Sequence, residues 1–422
     1  MSASVASKSL AVHQSTSIVP AVEASSMKRE LRVLQVFSVL SVGGAETWLM
    51  SLLKYFREAE GSLPVRVKCD ILLTGGEPSV FDEEAKALGA RLFYVPFTRR
   101  NTAGFIREFR RILVAGNYDV IHDHQDYIAG LHFAMGLGRL PRIRIAHVHS
   151  AIRHRSQYAN DRVRAISISS GRRILKRLAT HILGTSRQAI DEYGFRAPTF
   201  RGVGVVNCGF DASKFAGDYR SAHAEVCHEF GWDESAKIIL FVGRLDGEEV
   251  TLNGRVMSQK NPDFALEVFR ESFARDETVQ LLMVGSGQEK RKRLKAKVND
   301  WGVAQRVRFL SGRADVARLM LGSDLLLFPS LAEGLGMVVV EAQAAGLRVL
   351  ASDTTPRECV VIPGLVKFLS LDLKPRDWAD EVRRLLNLGQ ANPSECIDAI
   401  TRSPFSIENS AASLLEIYRS DQ

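Results

Sequence analysis

The sequence contains no uninterrupted apolar stretch close to the roughly 18–20 residues that a membrane-spanning helix requires, so we expect no transmembrane helix. It has only five cysteines, and no two of them form the CxxC pair of a zinc knuckle or a redox motif. Such scattered cysteines argue for a reducing cytoplasm and against a disulfide framework. Residues 1–27 lack the basic start and the continuous apolar core of a signal peptide. We therefore predict a cytoplasmic protein whose residues 1–30 form a flexible tail.

What is present is the composition of a folded, water-soluble chain. The 422 residues are 45% hydrophobic and 25% charged, and they include 32 glycines and 13 prolines. These proportions exclude a disordered, collagen-like or coiled-coil protein. The length exceeds that of one ordinary domain and predicts two or three.

Positive charge is concentrated in the first half of the chain. Residues 1–205 carry 29 basic and 17 acidic side chains, whereas residues 206–422 carry 27 and 31. A basic surface of this kind attracts an anionic partner such as phospholipid headgroups, a lipid diphosphate, an acidic glycan or nucleic acid. A solvated helix face on a merely basic protein explains the same counts equally well, and both interpretations stay open.

Apolar runs alternate with helix-like segments through both halves. The first unit is a strand at 31–37, a glycine-containing turn and an amphipathic segment at 45–56. After residue 205 the runs are apolar throughout, as in 238–242 and 325–328, which is typical of strands buried on both faces. Alternation of this type indicates βαβ units. We predict an α/β protein with two Rossmann-like doubly wound domains, 31–205 and 206–400, that face each other across a cleft.

Two glutamates eight residues apart mark the segment that is richest in chemistry. Glu333 lies in a glycine-containing turn after a buried strand, and Glu341 lies within the following helix. The amides of Gly336, Met337 and Val338 open that helix, and free amides at a helix N-terminus favour a phosphate. A carboxylate at Glu341 suits paired ribose hydroxyls, and one at Glu333 suits a sugar. The alternative is an ordinary helix with an acidic first turn and no part in ligand binding.

The 19-residue segment 328–346 resembles the C-terminal domain of family 4 glycosyltransferases, which have the two-domain GT-B fold. The resemblance extends over residues 31–420. It implies that Arg244 and Lys260 hold the donor diphosphate, together with the glycine loop that contains Gly43 and Gly44. It also implies that the loop Ser311, Gly312 and Arg313 takes the nucleobase, and that residues 401–422 form a helix crossing back to the first domain.

The spacing of Arg244 and Lys260 departs from the family pattern. The family usually places the lysine about five residues after the arginine, and here 16 residues separate them. Residues 246–258 therefore form an insertion beside the donor, for which a lid role is left open. Fixed cations stabilise a leaving nucleoside diphosphate through charge-assisted bonds. No metal is needed if they and the amides hold the diphosphate.

Two histidine pairs follow strands of the first domain, His122 with His124 and His147 with His149. Residues i and i+2 of an extended segment point to the same side, so each pair can present two imidazoles to the cleft. A metal site is one interpretation, but no cysteine or carboxylate set with suitable spacing accompanies the pairs. The resemblance favours His124 and His149 as contacts to the transferred sugar. With Glu333 they make up the predicted catalytic group, although the choice between His122 and His124 stays open.

These features predict a metal-independent glycosyltransferase, and the resemblance to the family implies that it retains the anomeric configuration. The donor would be a UDP- or GDP-sugar, with no other cofactor, and the acceptor a saccharide or a lipid-linked acceptor in surface polysaccharide or glycoconjugate synthesis. The basic first domain would sit on the inner face of the anionic cell membrane, and no nucleic-acid partner is expected. Two alternatives remain: a catalytically inactive GT-B-fold protein that binds anionic lipid or nucleic acid, and a GT-B nucleotide-sugar epimerase. A phosphorylase or an NAD enzyme fits less well, because neither a pyridoxal-phosphate lysine motif nor GxGxxG is evident.

Overall fold

The computed structural model describes residues 28–150, 162–195, 200, 202–246, 249–252, 255–273 and 276–420. The predicted N-terminal tail lies outside the described residues, except for its last three, and Glu30 already begins the first strand. No helix among the described residues is long and apolar enough to cross a membrane.

The first domain is a sheet of seven parallel strands in the order β3-β2-β1-β4-β5-β6-β7. The strands are β1 Glu30–Phe37, β2 Arg66–Leu73, β3 Arg91–Tyr94, β4 Val120–Asp123, β5 Ile143–Val148, β6 His181–Gly184 and β7 Val203–Val205. The described helices are α1 Gly44–Glu58, α2 Asp82–Ala87, α3 Thr102–Gly116, α4 Ile128–Met135, α5 Arg162–Leu178 and α6 Arg187–Glu192. Separate apolar cores cover the two faces of this sheet.

The second domain is a sheet of six parallel strands in the order β12-β11-β8-β13-β14-β15. The strands, with a separate hairpin, are β8 Lys237–Val242, β9 Glu249–Leu252, β10 Arg255–Ser258, β11 Val279–Val284, β12 Val307–Leu310, β13 Leu325–Phe328, β14 Arg348–Ser352 and β15 Val366–Leu369. The helices are α7 Tyr219–Phe230, α8 Pro262–Phe273, α9 Gln288–Asp300, α10 Val316–Leu321, α11 Met337–Ala344, α12 Pro375–Leu386, α13 Pro393–Thr401 and α14 Ile407–Tyr418. Short 3₁₀ turns lie at Ala212–Phe215, Ala304–Arg306, Arg357–Cys359 and Pro363–Leu365.

The predicted fold class is confirmed by these two sheets. Every residue of β11 and β13 is buried, because helices pack on both faces of the second sheet. Strands of that kind need apolar side chains on both sides, which is why their sequences do not alternate. In such sheets ligands bind where the carboxyl ends of the strands open into a crevice.

The insertion between Arg244 and Lys260 contains the antiparallel hairpin β9–β10, in which Val250 pairs with Met257 and Thr251 with Val256. The sequence predicts only an insertion here, and the β-branched residues of the insertion explain the strand pairing. The hydroxyl of Ser258, at the end of the hairpin, donates to the carbonyl of Leu245 at 3.0 Å. The two ends of the insertion therefore lie next to each other, and the chain continues into α8.

Helix α14 packs on the first domain although it follows the second in sequence. Its buried residues belong to the same apolar core as α1 and β1; they are Ile407, Ala411, Leu414, Leu415 and Tyr418. The indole of Trp48 in α1 donates to the hydroxyl of Ser410 at 2.9 Å. The outgoing and returning segments also pair, because the amide of Phe210 donates to the carbonyl of Phe405 at 3.0 Å. The first domain is thus completed by the end of the described chain.

We predict that Leu414→Ala destabilises the first domain by about 3 kcal/mol, because truncating a buried leucine removes apolar contacts and leaves a cavity. Leu414 is fully buried, whereas Glu416 on the same helix is exposed. Urea unfolding followed by circular dichroism measures the effect, with Glu416→Ala as the matched control. Equal unfolding midpoints for the two variants would contradict the packing described here.

Candidate active site

The two domains touch where the carboxyl ends of their sheets meet. A Cβ atom built on Gly334, in the loop after β13, would lie only 2.0 Å from the carbonyl oxygen of His149, which follows β5. Only glycine therefore allows this approach of one backbone to the other. The hydroxyl of Ser186 donates to the carbonyl of Gly334 at 2.5 Å, and this bond fixes the same contact from the end of β6.

A second bridge between the domains uses the carboxylate of Glu358. One of its oxygens accepts hydrogen bonds from the amides of Arg187 at 2.8 Å and Gln188 at 3.3 Å. Both amides lie in the first turn of α6, where unpaired N–H groups favour an anion. Glu358 of the second domain thus caps a helix of the first.

The turn into α11 leaves its first amides available. Gly336 has a positive φ of 95°, and no side chain within the described part of the chain caps the helix. Met337 and Val338 are therefore the first two residues of a helix start without a side-chain cap. A Cβ atom on Gly44 would lie 4.0 Å from Cγ of Met337, so the predicted glycine loop, Gly43 and Gly44, faces this turn across the cleft.

Glu333 and Lys260 form an ion pair at the centre of the predicted donor site. The ammonium of Lys260 lies 2.6 Å from a carboxylate oxygen of Glu333, which also accepts a hydrogen bond from Ser330 at 2.5 Å. Glu333 is only 6% exposed, so this pair is largely shielded from solvent. The hairpin insertion therefore leaves Lys260 at the carboxyl end of the sheet despite its distance in sequence from Arg244.

Arg244 extends from the end of β8 as an exposed side chain close to Glu46 of α1. Burial raises the pKa of the Glu46 carboxyl, while its own backbone amide and the Arg244 guanidinium partly oppose that rise. The carboxylate folds back over Gly43, since a Cβ atom there would lie 2.3 Å from its oxygen. Sequence reasoning assigned no role to Glu46, although it stands in the first turn of the helix that follows the glycine loop.

Glu341 projects from α11 and is partly buried. Burial raises the pKa of this carboxyl from 4.5 to about 7, against the weaker opposing influence of the Lys214 ammonium. A carboxyl that titrates near neutrality is a candidate functional group, because such perturbed values cluster at binding and catalytic sites. Glu341 is the fifth residue of α11, one turn after the uncapped helix start.

The predicted nucleobase loop has one engaged side chain and two exposed residues. The guanidinium of Arg313 lies 2.6 Å from Glu229 and 2.7 Å from Asp315, so ion pairs already occupy it. Ser311 and Gly312 are exposed, and Gly312 has a positive φ of 64°. Backbone groups of Ser311 and Gly312 are therefore better placed than the Arg313 side chain to meet a base.

Four histidines of the first domain, His122, His124, His147 and His149, form one cluster close to the contact with Gly334. Nε2 of His122 lies 3.1 Å from Nδ1 of His147, and Nδ1 of His124 lies 2.9 Å from Nε2 of His149. Burial is the main cause that lowers the pKa of each of them, to about 3 for His149 and well below 6.5 for the other three. The imidazoles are therefore neutral at physiological pH.

Ring nitrogens of His122, His124 and His147 lie within 4.8 Å of one another, close enough to raise the metal interpretation again. Both nitrogens of His122 and of His147 already have hydrogen-bond partners, and so do both of His124. An ion would have to replace these bonds inside a fully buried cluster. The geometry therefore favours a hydrogen-bonded cluster at this place.

Comparison with known proteins gives matches over both domains. Residues 42–214 match the family model described as Glycosyltransferase Family 4, and residues 236–388 match that of Glycosyl transferases group 1. The chain is similar to the putative glycosyltransferase EpsF of Bacillus subtilis (strain 168), with 27% identity over 407 residues, which are 92% of this chain and 96% of EpsF.

Two solved structures share the fold. Anabaena Alr3699/HepE in complex with UDP-glucose has a TM-score of 0.72 at 18% identity, covering 92% of this chain and 100% of HepE. WaaG, a glycosyltransferase involved in lipopolysaccharide biosynthesis, has a TM-score of 0.65 at 16% identity, covering 92% of this chain and 100% of WaaG. Together with the two sheets, these matches confirm the predicted GT-B architecture.

We expect Glu341→Gln to raise the melting temperature at pH 8 and to change it little at pH 4.5. In the unfolded chain this carboxyl ionises around its ordinary pKa of 4.5, and in the folded protein only near 7. The unfolded state therefore releases its proton first, and the stability of the folded state falls as the pH rises through this window.

Differential scanning fluorimetry from pH 4.5 to pH 8 measures the difference between the variant and the wild type. Glu416→Gln, at an exposed position, is the control and should give a flat difference. A gain that is the same at every pH would show that Glu341 does not titrate in this range.

Proposed function

Because the chain belongs to the family 4 glycosyltransferases, we propose that it transfers a sugar from UDP to an acceptor hydroxyl with retention of anomeric configuration. The Glu333–Lys260 ion pair beneath the open end of α11 is the observation that carries this proposal. In this pair, the Glu333 carboxylate can bind the sugar, and the adjacent Lys260 ammonium can bind the phosphate. UDP is favoured over GDP because HepE, which shares the fold, was solved in complex with UDP-glucose.

The donor lies along the second domain in this proposal. Arg244 and Lys260 hold the diphosphate from the strand side, while the amides of Gly336, Met337 and Val338 hold it from the helix side. Glu341 accepts hydrogen bonds from the ribose hydroxyls, and the glycine loop with Gly43 and Gly44 covers the phosphates from the first domain. These cations and amides supply the charge compensation that a divalent metal supplies elsewhere.

Lys260 has to change partners when the donor binds. Its ammonium is paired with Glu333 alone in the described part of the structure, and a diphosphate would share that charge. The carboxylate of Glu333 can then accept hydrogen bonds from hydroxyls of the transferred sugar. The same pair thus links phosphate binding to sugar binding.

Chemistry in this arrangement needs no protein nucleophile. The acceptor oxygen forms a bond to the anomeric carbon on the face from which the phosphate leaves. The bond from that carbon to the phosphate oxygen breaks, and the acceptor proton passes to the departing phosphate. Proton NMR of the sugar released first when UDP-glucose is hydrolysed distinguishes retention from inversion.

We propose that the acceptor is a saccharide or lipid-linked saccharide presented at an anionic membrane surface. Helix α5 carries the exposed cations Arg173, Lys176 and Arg177, and on the same helix Ile166 is 65% exposed. Cations beside an exposed apolar side chain suit a surface of anionic headgroups. WaaG, which has the same fold, is involved in lipopolysaccharide biosynthesis, and this supports a role in surface glycans.

The donor site predicts a metal-independent rise in melting temperature with UDP and UDP-sugars. A ligand that binds only the folded state stabilises it by mass action, by about 2.7 kcal/mol at a hundredfold excess over Kd. Thermal shift with UDP, GDP and ADP, each with and without Mg²⁺, measures it. Arg244→Ala and Glu341→Ala should abolish the shift, whereas Arg293→Ala, an exposed cation on α9, should leave it intact. A missing response to every nucleotide would favour the inactive binding protein.

The membrane proposal predicts that the triple variant Arg173/Lys176/Arg177→Glu loses binding to phosphatidylglycerol vesicles. Reversing three charges replaces attraction to the anionic surface by repulsion, and for the wild type 0.5 M salt should release the protein. Vesicle flotation measures both effects. The triple variant Lys292/Arg293/Lys295→Glu on α9 makes the same change in net charge and should still bind. Equal losses in the two variants would assign the binding to net charge rather than to α5.

A further inference from the structure

Seven hydrogen bonds join the histidine cluster into one series that begins and ends in the segment after β7 and passes through Tyr418 of α14 and through His149. Its members are Val206, His147, His122, Tyr418, Gln35, His124, His149 and Cys208. Each of the four imidazoles uses both ring nitrogens in this chain. Because every imidazole is neutral, each has one nitrogen that donates and one that accepts.

The carbonyl of Val206 sets the direction of the whole chain. It lies 3.2 Å from Nε2 of His147 and can only accept, so the proton of His147 is on Nε2. Nδ1 of His147 is then an acceptor, and Nε2 of His122, 3.1 Å away, must donate to it. His122 therefore has a bare Nδ1, which accepts from the hydroxyl of Tyr418 at 2.8 Å.

The same logic continues beyond Tyr418 toward the cleft. Since its hydroxyl proton is committed to His122, its oxygen accepts from the amide nitrogen of Gln35 at 3.2 Å. That orients the amide, whose oxygen then accepts from Nε2 of His124 at 2.8 Å. Nδ1 of His124 in turn accepts from Nε2 of His149 at 2.9 Å.

The last contact of the series, between His149 and Cys208, is its longest and weakest. Nδ1 of His149 has no proton, and it faces the thiol of Cys208 at 3.9 Å. A thiol is a weak donor, so a hydroxyl group that reaches Nδ1 binds it more strongly than Cys208 does. The backbone carbonyl of His149 meanwhile lies against Gly334, beside Glu333.

We propose that Tyr418, Gln35 and His124 are positioning residues that hold His149 as its Nε2–H tautomer and so keep its Nδ1 as an acceptor for a hydroxyl of the transferred sugar. This inference rests on the proposed function for the nature of its ligand. It gives Tyr418 of α14, 269 residues beyond His149, a part in positioning a residue of the sugar site. It also makes all four imidazoles Nε2–H tautomers.

The hydroxyl of Tyr418 is the point at which the chain can be cut without removing a ring. Tyr418→Phe leaves His122 and His147 under the control of Val206, but the Gln35 amide nitrogen then keeps only its long contact of 4.0 Å with Sγ of Cys69. The amide can then turn over, and His124 and His149 can exchange tautomers as a pair. The variant therefore separates the half that contains His124 and His149 from the half that contains His122 and His147.

Nitrogen NMR of protein labelled with ¹⁵N in its histidines tests the inference directly. We expect all four imidazoles of the wild type to be neutral Nε2–H tautomers. In Tyr418→Phe we expect mixed tautomers at His124 and His149, whereas His122, although its Nδ1 signal shifts with the loss of the tyrosine hydroxyl, and His147 stay Nε2–H tautomers. Tyr219→Phe, which removes a hydroxyl that donates to Asp324 at 2.9 Å in the second domain, is the matched control.

Turnover of a UDP-sugar, compared with affinity for UDP, distinguishes a positioning role of Tyr418 from a role in packing alone. The loss of one oriented hydrogen bond to the transferred sugar should lower turnover by about tenfold in Tyr418→Phe, while affinity for UDP, which lacks the transferred sugar, stays unchanged. Equal loss of UDP affinity would indicate a general structural defect and overturn the positioning role.

The outcomes separate this inference from the proposed function. An Nδ1–H signal from any of the four histidines in the wild type, or an unaltered His149 in Tyr418→Phe, would overturn the hydrogen-bonded chain even in an active transferase. The expected tautomers in a wild type that turns over no UDP-sugar would support the chain and overturn its assignment to a sugar.

Discussion

The contact between the backbone of Gly334 and the carbonyl of His149 is the constraint on which the rest of the site depends. It sets the carboxyl ends of two parallel sheets against each other with no side chain between them. Glu333 and the start of α11 are then held beside the histidine cluster, and the hydrogen bond from Ser186 keeps them there. A larger residue than glycine would separate the two walls of the cleft.

The two walls differ in electrical character. The wall of the first domain presents imidazoles that burial keeps uncharged, and that of the second presents the Glu333–Lys260 pair and the carboxyl of Glu341. A nucleotide-sugar has the matching asymmetry, with charge in its diphosphate and none in its sugar. Glu46 brings a carboxyl from the first domain toward Arg244, next to the glycine loop.

Local sequence was enough for the sheets and for the turn that contains Glu333 and Gly336, because buried parallel strands and helix starts leave patterns within some ten residues. It also led to Lys260, whose position the hairpin preserves. Contacts set by tertiary packing left no such pattern: Gln35 and Tyr418 are 383 residues apart. The engagement of Arg313 by Glu229 depends likewise on an element 84 residues away, and sequence spacing does not reveal it.

Helix α14 has a consequence for the order in which the protein is made. It contributes five residues to the core of the first domain, so that core is incomplete until about 200 further residues have been translated. At about 5–20 residues per second, the groove for α14 stays uncovered on the ribosome for roughly 10–40 seconds. The domain that emerges first is finished last, and its apolar groove is the surface that a nascent-chain chaperone would meet.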